Sequence, residues 1–158
     1  MKALVVFFSK TGRTRKAAQT LAGLLGAETE ELVERGVERG GIMGYLRSGR
    51  DAMKKRPVAL EPLKHAVAGY DLVVLGSPVW AFTLCPAIRS FLESHGGEIG
   101  KAAFLSTHGG GGPSKSYAEA EALLGKPLAA TLALKDRIID AGEAEADLAA
   151  FAKRLAAG

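Results

Sequence analysis

The stretch LVVFFSKTGRTRKAA, residues 4–18, carries an apolar strand into a helix through one short turn. Leu4, Val5, Val6, Phe7 and Phe8 form a continuous run with β-branched and aromatic members, which suits a strand covered on both faces. Ser9, Thr11 and Thr14 then crowd around Gly12, with Lys10, Arg13, Arg15 and Lys16 among them. From Thr14 to Leu25 the apolar residues Ala17, Ala18, Leu21, Leu24 and Leu25 recur at helical spacing, and Gly26 ends the run. Backbone N–H and side-chain O–H groups in such a turn are donors for a bound anion, and the helix dipole adds favourable potential. The plain alternative is that Ser9 and Thr14 only cap the helix. The triphosphate spacing G-x-x-x-x-G-K-[ST] and the dinucleotide turn G-x-G-x-x-G are both absent from the chain.

The same alternation continues outward from this unit. Thr29–Val33 reads as a weaker strand whose glutamates suit a sheet edge. Residues 34–63 are irregular, with a short helix over Tyr45–Met53. DLVVLGSP (71–78) is a buried strand, and a helix over Pro86–Ser94 opens on a proline at a position its missing N–H tolerates. AAFLST (102–107) is a further strand, followed by HGGGGPS and a helix over Ser116–Leu124. A strand over Leu128–Leu134 and a helix over Glu143–Ala156, with Leu148, Phe151 and Leu155 on one face, complete the pattern. Strands alternating with helices predict an α/β domain with a parallel sheet covered on both faces, and no repeat or linker divides residues 1–158.

Composition narrows the function. At 158 residues and 47% apolar, the chain has length for a substantial core. Its single cysteine, Cys85, excludes an internal disulfide framework and a cysteine zinc cluster. That fits a cytoplasmic setting, as does the absence of any run long enough for a signal peptide or membrane span. The net charge of +4 permits an anionic partner without demanding one. Basic residues gather at 10–16 and 47–56, but aromatics are 6% of the chain and do not interleave with them, which argues against a nucleic-acid platform. His65 and His95 read as surface residues and form no metal-ligand spacing with His108.

In an open parallel sheet, ligands sit beyond the carboxyl ends of the strands. Three strands here end in unusual sequence: Ser9–Thr14, Ser77–Thr83 with the only tryptophan, Trp80, and Ser106–Gly112 with four consecutive glycines. Singly these are a capped helix, a packed tryptophan and a loose connection. Together they describe an anion cradle, a flat aromatic wall and bare backbone, a set that suits a planar heterocycle with a phosphate tail.

SKTGRT resembles the S/T-x-T-G-x-T phosphate loop of flavodoxins and flavodoxin-like proteins. GSPVWAFTLCPAIRSFL is similar to their second flavin-contacting loop and its helix, and STHGGGG to their third loop. The resemblance spans essentially the whole chain, in the short-chain form without the insertion in the last strand. It implies a three-layer α/β/α sandwich with a five-stranded parallel sheet in the order 2-1-3-4-5, and FMN as cofactor. On this resemblance Ser9, Thr11, Gly12 and Thr14 hold the phosphate, with Lys10 and Arg13 adding N–H groups and charge. Pro78, Val79, Trp80, Ala81, Phe82 and Thr83 line one side of the isoalloxazine. Thr107, His108, Gly109, Gly110 and Gly111 line the other.

FMN binding leaves carrier and enzyme open. One-electron carriers of the family commonly have glycine directly after the tryptophan, where a peptide turns over beside the ring. Here Ala81 and Phe82 follow Trp80, and a positive φ at either costs about 1 kcal/mol or more. Residues 77–92 and 104–114 contain no acid, which makes reduction of the flavin easier than among carboxylates. Both departures point from an electron-transfer carrier towards an NAD(P)H-dependent reductase of a quinone or similar acceptor. His108 is the candidate proton donor, with a solvent-facing loop histidine as its simpler reading. Residues 36–56 read as a flap, where Tyr45 or Arg47 meets substrate or phosphate, and as a cationic face for NADPH or an acidic redox protein. A cofactor-free module or a nucleic-acid-binding module on the same fold are the remaining alternatives.

Overall fold

Alternate residues of the first strand enter two separate cores. In the computed structural model, which describes residues 1–158, β1 (Ala3–Phe7) sends Ala3, Val5 and Phe7 to one side of the sheet. Leu4 and Val6 go to the other. Side chains in a strand alternate between faces, so a strand apolar at every position must be covered twice. β3 (Leu72–Trp80) and β5 (Ala102–His108) divide their side chains in the same way. The covering helices are α1 (Arg13–Leu25) and α6 (Glu145–Ala157) on the first face, and α3 (Pro86–His95) and α4 (Ser114–Leu124) on the second. Leu21 of α1 shares the first core with Phe151 and Leu155 of α6, while Phe91 of α3 and Phe104 of β5 share the second. Burying each such side chain contributes about 1.5–3 kcal/mol.

The main sheet runs β2-β1-β3-β5-β6, all parallel, with β2 (Glu28–Glu31) and β6 (Thr131–Lys135) at the edges. This is the order expected from the resemblance. β2 carries glutamates because it is an edge. Glu30 is nonetheless buried, and its carboxylate accepts from the N–H groups of Lys64 and His65 and lies 3.0 Å from His65 Nδ1. His65 is therefore tied to the edge strand and is not a free surface residue. His95 is half-buried, against Phe91 and Glu98.

Two elements escape a reading of the sequence. β4 (Thr83–Leu84) folds back antiparallel on the end of β3, pairing Trp80 with Thr83 and Val79 with Leu84. α5 (Asp136–Asp140) begins directly where β6 stops. α2 (Gly41–Met53) starts four residues before the expected Tyr45 and joins neither core. It lies against β3 and β4, burying only Gly44, Ser48, Asp51 and Ala52. Its apolar residues are thus left at the carboxyl end of the sheet, over the loops that follow β1 and β3.

Candidate functional site

The turn after β1 is organised as an anion cradle before any ligand is considered. Gly12 takes φ 95°, a conformation that L side chains rarely adopt, and its N–H donates to Ser9 Oγ at 3.0 Å. No side chain caps α1, so its first N–H groups stay open at the positive end of the dipole. Thr14 does not cap the helix: its hydroxyl is buried and bonds Thr107 at 2.8 Å. Arg13 turns its guanidinium away, donating twice to Asp140 at 2.9 Å and standing 3.7 Å from Asp136. The hydrogen bond from Arg13 holds the Asp140 carboxyl below its ordinary range. Lys10 forms no ion pair, and its ammonium lies 5.5 Å from the Tyr45 ring centroid.

The loop after β3 is a two-residue hairpin turn. Ala81 has φ 50° and Phe82 φ 64°, both in the left-handed region without glycine at either position. The sequence predicts a penalty against this geometry, yet the chain adopts it, because Trp80 and Thr83 pair across the turn and positive φ at both central residues is the type I′ form, whose twist matches that of the flanking strands. Trp80 is fixed by Phe8, edge-on with centroids 5.5 Å apart, and by the Arg39 guanidinium 5.1 Å from its ring centroid. Thr83 points into the protein, its hydroxyl donating to Glu119 and accepting from Arg89 at 3.3 Å. Phe82 swings outward, 61% exposed, against the third loop, where a Cβ on Gly111 would come within 2.8 Å of its ring.

These loops enclose a cavity of about 640 Å³ at the carboxyl ends of the strands. Of the residues singled out in the sequence, it is lined by Lys10, Thr11, Arg13 and Thr14, by Pro78, Val79, Trp80 and Ala81, and by Thr107, His108 and Gly109. Ser9 and Gly12 do not line it; they are bonded to each other within the turn. Phe82, Thr83, Gly110 and Gly111 are not on the wall, because the hairpin sends Phe82 outward and Thr83 inward and the glycines run past the rim. His108 is half-buried in the wall rather than solvent-facing, and its Nδ1 is buried without a partner. The rest of the wall comes from α2, through Tyr45, Leu46, Ser48, Gly49, Arg50, Met53 and Lys54, and from Asp136 of α5. Arg47 does not line it. Asp136 also corrects the expectation of an acid-free surround, because the carboxylate arrives from a distant part of the sequence. The clue to α2 was the helical spacing of Tyr45, Leu46, Gly49 and Met53; nothing local marked Asp136.

Residues 1–135 match the model of the NADPH-dependent FMN reductase family. The chain belongs to that family. No curated protein matches it closely. Among solved structures, a provisional flavoprotein of Bacteroides eggerthii is 23% identical, with TM-score 0.75 over 89% of this chain and 94% of its own. A flavoprotein of Lactobacillus acidophilus in complex with FMN is 21% identical, with TM-score 0.70 over 89% of this chain and 97% of its own. The two-electron-reduced flavodoxin of Megasphaera elsdenii is 16% identical, with TM-score 0.57 over 96% and 98%. These likenesses show the flavodoxin-like fold. The chain is an FMN-binding redox protein of this reductase family, and its cavity fits the cofactor. The uncapped start of α1 suits a phosphate, the half-buried Trp80 suits a flat ring, and the orphaned His108 Nδ1 calls for a polar partner. No helix is long and apolar enough to cross a membrane.

Proposed function

We propose that this chain is an NADPH-dependent reductase that holds FMN in the 640 Å³ cavity and passes electrons to a quinone or a similar small acceptor. When bound, FMN supplies the chemistry of accepting hydride from a nicotinamide and delivering two electrons onward. The residues of the chain supply the rest. The amides of Thr11, Arg13 and Thr14 hold the phosphate, with Lys10 as its free cation. Pro78, Val79, Trp80 and Ala81 border the ring on one side, and Thr107, His108 and Gly109 on the other. His108 Nδ1, facing no protein partner, is the atom through which a proton or hydrogen bond reaches the ring or the acceptor.

The observation that carries the enzyme reading over the carrier reading is the charge of the wall. Lys10, Arg50 and Lys54 line it, while the one acid of the wall, Asp136, stands beside Arg13, which Asp140 also holds. A cationic surround favours the negative charge that two-electron reduction brings, and it attracts a phosphorylated donor. One observation favours the carrier: the turn at Ala81 and Phe82 already sits at positive φ, so the lack of glycine does not forbid the backbone geometry that one-electron carriers use.

The test is an absorbance spectrum of the protein loaded with FMN, taken anaerobically as NADPH and then dithionite are added. Bleaching by NADPH directly to the fully reduced spectrum is the expected result. No reaction with NADPH, together with a long-lived half-reduced spectrum under dithionite, makes the chain a carrier and removes the proposal. A chain that takes up no FMN would be a cofactor-free module.

A further inference from the structure

The carboxylate of Asp51, buried on α2, has four guanidinium groups within 4.0 Å. Arg39 is hydrogen-bonded to it at 2.8 Å, and Arg39 is also met by Glu34 at 2.8 Å. The remaining three stand farther off, Arg47 at 3.6 Å, Arg50 at 3.7 Å and Arg56 at 3.9 Å, each about half exposed. Two carboxylates are thus engaged by one buried arginine, and three further arginines share what is left. Lys54 adds another cation with no ion pair. Asp51 and Glu34 are two carboxylates against the five cations Arg39, Arg47, Arg50, Arg56 and Lys54, so the cluster keeps a net positive charge that a further anion would offset.

Two members of this surplus, Arg50 in the last turn of α2 and Lys54 at its C-cap, line the 640 Å³ cavity. The exposed side chains of Tyr45, Leu46 and Met53 share that wall. The cofactor carries one phosphate, and the uncapped start of α1 answers it on a different wall. The α2 cations therefore face the cavity away from the cradle that answers the cofactor's phosphate. Their concave setting beside apolar side chains suits a small ligand with both a flat ring and phosphates, better than it suits the convex surface of an acidic protein. We propose that Arg50 and Lys54 bind the phosphates of the nicotinamide dinucleotide, and that the 2′-phosphate is the group by which this chain selects NADPH over NADH. The inference rests on the reductase reading above. Arginine fits because its fork pairs with phosphate oxygens through two parallel bonds, which a single ammonium cannot do.

The experiment uses the FMN-loaded protein, the double variant Arg50→Gln/Lys54→Gln and the charge-conserving variant Arg50→Lys/Lys54→Arg. Calorimetric titration with 2′,5′-ADP and 5′-AMP reads binding without turnover. The unsubstituted protein should bind 2′,5′-ADP at least about tenfold more tightly than 5′-AMP, as expected for one charge-assisted phosphate contact. The double variant should lose that difference while FMN affinity is retained, and the charge-conserving variant should keep much of it. In turnover, the ratio of KM for NADH to KM for NADPH should fall by about the same factor. Equal affinity for the two nucleotides in the unsubstituted protein overturns the inference, as does an unchanged difference in the double variant, the result expected if the cluster serves an acidic protein. A loss of FMN affinity in place of the nucleotide difference assigns the cations to the cofactor and also overturns it. If neither NADPH nor NADH bleaches the flavin of the unsubstituted protein, the reductase reading fails and the inference falls with it; bleaching by both with no change of preference in the double variant overturns the inference alone.

Discussion

The hydroxyls of Thr14 and Thr107 share a buried hydrogen bond of 2.8 Å that joins the start of α1 to the end of β5 across 93 residues. The anion cradle and the third loop are therefore spaced by one contact as well as by the sheet. Thr14→Val keeps the shape but strands the Thr107 hydroxyl in the interior, so it should cost about 1–3 kcal/mol. Thr14→Val/Thr107→Val removes both partners and should recover much of that loss. Urea midpoints of the four proteins at constant m-value close the cycle. Losses that simply add would mean that the two hydroxyls are independent.

Ala81 shows the opposite balance, a residue in a conformation that its side chain opposes. A left-handed φ costs an L-residue about 1–2 kcal/mol, while glycine adds about 0.4–1 kcal/mol of unfolded-state freedom. Ala81→Gly should therefore stabilise the protein by about 0.5 kcal/mol. Ala17→Gly, inside α1, should destabilise it by about 1 kcal/mol or more, because there glycine only weakens a helix. Equal downward shifts of the two thermal midpoints would mean that the turn is unstrained.

Glu119 anchors the same hairpin from the other side, with Arg89 and Thr83 as partners. Burial pushes its carboxyl up, but the hydrogen bonds from Thr83 and Arg89 and the charge of Arg89 outweigh that and hold it below the ordinary 4.5. The stability it contributes is complete above 4.5 and is lost as pH falls through the depressed folded value. Glu119→Ala leaves the Arg89 charge buried without its partner and should cost about 3 kcal/mol at neutral pH. Stability measured from pH 7 down to 3 should fall less steeply in Glu119→Ala than in the unsubstituted protein. Parallel profiles would show that the pair contributes nothing to acid sensitivity.

Most of the sheet was legible because β1, β3 and β5 are buried on both faces and so read as unbroken apolar runs. Two helices were bounded by Gly26 and Pro86, residues whose backbone chemistry marks an end. β4 was hidden because its hairpin turn is built from Ala81 and Phe82, where the usual signal is glycine or asparagine. α5 was hidden because it follows β6 with no intervening turn. Within the site, the cradle was legible because its chemistry is local. The segment 36–56 reads as a flap, and Tyr45 from it lines the cavity while Arg47 does not. The inward turn of Thr83 and the arrival of Asp136 were not legible, because each depends on how distant segments pack. The expectation of an acid-free surround failed for that reason: a window of sequence counts only its own charges.

Cys85 gives the last prediction, since a redox protein with one thiol invites the question of whether that thiol reacts. It lies fully buried just before α3, accepting a hydrogen bond from Ser77 Oγ at 3.3 Å. Burial pushes its pKa from 9.0 up to about 11, against the smaller opposing effect of the Ser77 bond. At pH 8 about one folded molecule in a thousand carries the thiolate, which is the reactive form. Labelling by a disulfide reagent at pH 8 should therefore be slow in the folded protein and immediate in guanidinium chloride. The same shift links to stability: the unfolded thiol ionises first, so this contribution is whole below 9.0 and is lost as pH rises towards 11. Cys85→Ala should flatten the alkaline fall in stability between those values. Rapid stoichiometric labelling of the folded protein would instead place the thiol within reach of solvent and make it a candidate participant in the redox chemistry.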